Sequence, residues 1–105
     1  MPASRLLIAE DRYVVEAESG RDEGFLRFDP AAAPAAVDFV GTEGPSAGRT
    51  IPALYRIRGN LLQLCYCMGE GTAPQPRPTT WDTGPGSPQI LVRYRRVQGG
   101  MQRES

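Results

Sequence analysis

Two cysteines separated by one residue, Cys65 and Cys67, offer the most reactive side chains in this sequence. On an extended strand, residues two apart face the same way, so both thiols would be presented together. Two soft ligands suit zinc or copper, but a structural zinc site takes four ligands, and the chain has no histidine. Only a second chain donating two more cysteines would complete such a site, so no metal and no cofactor is expected. A disulfide across a single intervening residue is strained. The pair therefore reads as small buried apolar residues. A redox thiol at Cys65, its pKa lowered by nearby arginines, is the alternative.

The second constellation is Arg77-Pro78-Thr79 together with Asp38. A guanidinium is a rigid fork that holds a carboxylate bidentately. One reading has Arg77 tying its loop to Asp38 or Asp29 at the mouth of a barrel. The other has Arg77 facing a cavity and binding an anion. The candidate ligand contacts are Arg77, Asp38, Thr79, Cys65 and the tyrosines Tyr55 and Tyr66.

Other chemistry is sparse. All 12 basic residues are arginine, balanced by 12 acids. Without lysine or histidine there is no Ser-His-Asp triad, no lysine Schiff base and no imidazole ligand. Glu16 and Glu18 share a strand face, and paired carboxylates do glycosidic chemistry only when held across a cleft. Ser87 lies in Gly-Ser-Pro, without the nucleophile-elbow pattern. Phosphate-loop and dinucleotide fingerprints are missing. Arg93, Arg95 and Arg96 with Arg56 and Arg58 read as one solvated cationic sheet face. Phosphate binding would need such a patch, and a nucleic-acid reader usually adds exposed aromatics. With zero net charge and a pI near 6.2, no nucleic-acid partner is expected. The charge is uneven: residues 1–52 carry five arginines and nine acids, residues 53–105 seven and three. That asymmetry favours pairing between early and late strands.

These side chains must be positioned by short extended segments. Twelve glycines and ten prolines in 105 residues disfavour a helical bundle. Strands are predicted at 5–9, 13–17, 25–28, 37–40, 50–58, 61–68 and 89–97, with a brief edge pairing at 78–81. Residues 19–24 read as a turn, 69–78 as a long loop, and Gly59-Asn60 as a two-residue hairpin turn. Pro34 prevents a useful helix in the alanine-rich stretch 31–36. The fold class is therefore all-β. A small antiparallel barrel or barrel-like sheet of seven to eight short strands removes exposed edges, and a β-sandwich is the alternative. Residues 1–97 form a single antiparallel domain and 98–105 a flexible tail. The candidate core is Leu7, Val14, Phe25 or Leu26, Phe28, Val37, Phe39, Leu54 or Tyr55, Ile57, Leu62, Leu64, Tyr66, Ile90, Val92 and Tyr94.

Several pieces resemble a small bacterial domain of unknown function common in planctomycete proteins. They are Asp29-Pro30, Pro34 and Val37-Asp38-Phe39, then residues 54–60 ending in Gly59-Asn60, then Leu62-Gln63-Leu64-Cys65-Tyr66. Arg77-Pro78-Thr79-Thr80-Trp81 and the apolar strand 90–96 follow. They span about two thirds of the chain in the right order. The resemblance implies a lipocalin-like antiparallel barrel with no established activity. A first strand carrying Leu-x-Gly-x-Trp is missing here, so a partner strand or a second copy is expected to complete the barrel.

The leading expectation is a non-enzymatic binding or interaction module for a small apolar or amphipathic ligand, or for a protein partner. An enzyme with an Arg77, Asp38 and Cys65 site at the barrel mouth is one alternative. A homo-oligomer, such as a homodimer, pairing through edge strands is another. No run of 18 apolar residues is present, so no membrane span is expected. No secretory signal is evident either, which implies a cytoplasmic protein, or an exported one if the chain is trimmed.

Overall fold

A computed structural model gives the fold and describes residues 5–17, 20–67, 75–97 and 100–104. It is all-β. Eight strands follow in order: β1 (Arg5–Ala9), β2 (Arg12–Ala17), β3 (Gly20–Asp29), β4 (Ala36–Glu43), β5 (Thr50–Arg58), β6 (Leu61–Cys67), β7 (Gln89–Val97) and β8 (Gly100–Glu104). Each pairs antiparallel with the next, and β8 pairs back onto β1, closing a barrel. No helix among the described residues is long and apolar enough to cross a membrane.

Closure comes from the chain's own last residues, which corrects two expectations. The stretch 98–105 was expected to be a flexible tail, and a second chain was expected to complete the sheet. Instead β8 lies opposite β7 from Arg93/Glu104 to Val97/Gly100. It also meets β1 at Arg5/Gln102 and Leu6/Met101. Gly100 makes the return with a positive φ of 151°, a backbone state that glycine reaches without penalty.

Two further boundaries differ. The expected turn at 19–24 is largely strand, because β3 begins at Gly20. Gly24 is there to make room rather than to turn the chain. A Cβ on it would stand 2.0 Å from the Val40 carbonyl oxygen and 2.8 Å from the Tyr13 ring. The register shifts at the same point, between Glu23 and Gly24, as at a bulge. The edge pairing expected at 78–81 does not form; those residues are irregular. The loop 69–78 and Glu18 lie mostly or wholly outside the described residues.

Alternation divides each strand between lumen and outer wall. Leu6, Tyr13, Leu26, Val37, Ala53, Leu62, Leu64, Val92 and Tyr94 fill the interior, with Val15, Phe39, Tyr55, Tyr66, Ile90 and Met101 packed against them. The expected inward pair Leu7 and Val14 belongs to the outer wall, where the two residues face each other across β1 and β2. Both faces of those strands are apolar, so alternation could not choose between them; the space over Gly24 admits Tyr13 and sets the register. Phe28 and Ile57 are not enclosed core either, being 47% and 61% exposed at one end of the lumen.

Proline placement supports the ladder. The Tyr55 N–H donates to the Ala35 carbonyl at 3.1 Å, so by alternation even-numbered positions of β5 direct their N–H toward β6. Pro52, which has no N–H, falls just beyond Ala53/Tyr66, where the pairing with β6 stops.

Candidate functional site

The candidate residues separate into three places. Asp38, Cys65 and the Arg77 loop lie on the outer wall. Tyr55 and Tyr66 point into the lumen and line its two opposite ends. Of the three residues that the enzyme alternative places at the barrel mouth, Arg77 and Asp38 do meet, but on the outer wall, and Cys65 contacts Thr80 and Gln89 instead. Asp38 sits within β4 on the face opposite the lumen, and Cys65 occupies the matching face of β6.

Residues 75–88 lie across that wall as a strap. Arg77 donates through one terminal nitrogen to the Val37 carbonyl at 3.3 Å and to the Ala53 carbonyl at 2.9 Å. Its other terminal nitrogen pairs with Asp38 Oδ1. With those bonds made, the guanidinium fastens the strap to β4 and β5. Beside it, Asp38, Thr79 and Phe28 help line a cleft of about 400 Å³. The strap's far end is held by Gln89, whose Nε2 donates to the Thr80 carbonyl at 2.9 Å and the Asp82 carbonyl at 2.7 Å. Arg56 lies 4.1 Å from the Trp81 ring centroid, a cation–π contact, and also donates to Gln63 Oε1.

Under this strap the outer wall is apolar. Ala36, Leu54, Cys65 and Cys67 are buried there, as is Pro78. The Cys65 thiol donates to the Thr80 carbonyl at 3.9 Å and accepts from Gln89 at 3.6 Å. Burial pushes its pKa up, and the neighbouring Cys67 adds to this; the Gln89 hydrogen bond and the Arg56 charge pull the other way. The raised value favours the neutral thiol, not the thiolate a redox nucleophile needs. Among the described residues, no group of three or more Cys, Asp or Glu stands together to hold a metal ion.

The lumen has two chemically different ends. At the end formed by the β1–β2, β3–β4 and β5–β6 connections, a cavity of about 250 Å³ is lined by Leu26, Phe28, Ile57, Leu62 and Met101, with Arg96 alongside. Ile8, Phe28 and Ile57 stand 38%, 47% and 61% exposed there. Phe28 meets Tyr55 edge-on, ring centroids 5.4 Å apart. Arg96 thus leaves the cationic face expected for it, while Arg93 and Arg95 remain exposed on the outer wall. At the other end, a cavity of about 230 Å³ is lined by Tyr13, Tyr66, Tyr94, Asp22, Ser46 and Arg103 among others. Phe39 and Leu64 border both cavities.

Sequence reasoning missed the lumen ends. Ile8, Arg96, Met101 and Arg103 went unnoticed as lining residues. Folding the residues after 99 back on β7 as a hairpin would have set Met101 opposite Arg96 and Arg103 opposite Tyr94, on the lumen face. Compared with known proteins, the chain matches no family model, no curated protein and no solved structure.

Proposed function

We propose that the protein is a non-enzymatic binding module that holds a small apolar or amphipathic ligand in the barrel lumen. The observation that carries this reading is the apolar cavity at the Ile57 end, where three large apolar side chains stand exposed to solvent. Eight-stranded barrels have room for packed side chains or for one small guest. At about 250 and 230 Å³, each lumen cavity lies just under the roughly 300–1,000 Å³ typical of drug-sized ligand sites, which suits a small guest. Apolar walls with few polar groups suit a guest that gains by leaving water. The outer constellation of Arg77 and Asp38 supports the barrel instead, since Arg77 spends three of its contacts on the Val37 and Ala53 carbonyls and on Asp38.

Titration of isotopically labelled protein with 1-octanol, followed by amide NMR, tests this. Shift changes should cluster at Ile8, Leu26, Phe28, Ile57 and Leu62. Ile57→Glu, at an exposed position, should weaken binding about tenfold, the scale expected when an apolar contact worth ~1.5 kcal/mol is lost. Shifts confined to the outer wall, or none at millimolar octanol, overturn the reading.

A further inference from the structure

At the end of the lumen opposite the apolar mouth, two phenols and a guanidinium share a cavity with one carboxylate, Asp22. Tyr94 and Arg103 are direct cross-strand partners on β7 and β8, and both line the 230 Å³ cavity with Tyr66. Among the described residues no protein group hydrogen-bonds the Tyr66 or Tyr94 hydroxyl, and Arg103 has no carboxylate in ion-pair contact. Neither hydroxyl is sealed away from solvent, so both are open to a guest in the cavity. Two phenols and a guanidinium together supply donors and positive charge, and their complement is an anion with several acceptor oxygens.

We propose that this tyrosine end anchors the carboxylate of an amphipathic small acid, whose apolar body runs past Phe39 and Leu64 toward the Ile57 mouth. The proposal rests on the lumen-binding reading and adds the ligand's class and its direction. Burial pushes the Tyr66 and Tyr94 phenols up, Tyr66 adding to the shift on Tyr94, while the Arg103 charge opposes the shift on both. The phenols are therefore protonated donors near neutral pH, and Arg103 lies within electrostatic reach of each. The acid in the same cavity, Asp22, sits by Tyr13 and already accepts the Ser46 N–H at 3.1 Å. Arg96 is the competing cation, but it stands at the apolar mouth, where no hydroxyl cluster joins it.

Calorimetric titration with octanoate, 1-octanol and octylammonium separates the two readings. Wild type should bind octanoate at least tenfold more tightly than octanol. Arg103→Gln should abolish that preference while leaving octanol affinity unchanged, and Tyr66→Phe should reduce it severalfold. Arg96→Gln should keep it. Equal affinity for octanoate and octanol overturns the anchor but leaves the lumen site standing. Preference for octylammonium, or loss of the carboxylate preference in Arg96→Gln alone, also overturns the anchor. If neither octanoate nor octanol binds, the lumen reading fails and the anchor with it.

Discussion

Arg77 is the side chain on which the outer wall depends most. It bonds two strand carbonyls and one carboxylate from a loop with no regular structure of its own. Hydrogen bonds to charged groups contribute about 1.5–3 kcal/mol when well sheltered, and solvent screens an exposed pair to less. Arg77 is 37% exposed, so Arg77→Ala should cost about 1–2 kcal/mol in urea unfolding, toward the low side of those ranges. An unchanged unfolding midpoint would show that the strap adds nothing to stability. The arginine–carboxylate match was legible from residue types alone. Its position was not, because 39 residues separate the partners and the loop's path decides where they meet. The same limit applies to Leu6 against Leu7 and Tyr13 against Val14: adjacent apolar residues carry no parity signal. Only the missing side chain at Gly24 breaks the tie.

Among the elements, β5, β6 and β7 were the most legible. Their alternation is clean, and Gly59-Asn60, with Gly59 at φ 59°, closes the hairpin as its residue types require. The strap was read as a loop with a short edge pairing, since Gly, Pro and Thr say where regular structure stops but not what the chain then covers. Two misreadings share one cause. Glycines within β3 and at the head of β8 looked like punctuation, yet one clears space for a ring and the other opens the strand that closes the barrel. The strap's role is measurable through the thiols beneath it. Trp81→Ala removes the cation–π contact to Arg56, worth about 0.5–2 kcal/mol. The strap should then lift more often, and Cys65 should react with Ellman's reagent roughly two- to thirtyfold faster, the factor corresponding to that energy. An unaltered labelling rate would mean that Gln89 and Arg77 alone hold the cover down.

For the whole molecule, the buried phenols and thiol set the response to alkaline pH. Tyr13 is pushed from 10.0 up to about 12 by burial, with the Asp22 charge adding to it. Tyr66, Tyr94 and Cys65 are also raised. Folding therefore holds these protons more tightly than the unfolded chain does. The associated stability is complete below the unfolded values, 9.0 for the thiol and 10.0 for the phenols, and is lost as pH rises through the folded ones. With neither lysine nor histidine in the chain, the urea midpoint should decline steadily from about pH 9 toward 12; a flat midpoint to pH 11 would contradict this. The barrel closes along one join. Among the described residues, β3 and β4 face each other from Glu23/Glu43 to Asp29/Ala36, whereas β1 and β8 are matched at Arg5/Gln102 and Leu6/Met101. Amide protons along that line should be the first to exchange with deuterated solvent. A cylinder that parts there becomes a curled ribbon with its inside open sideways. A guest too broad for either rim would then enter laterally, at a rate set by the unzipping of two strands rather than by diffusion.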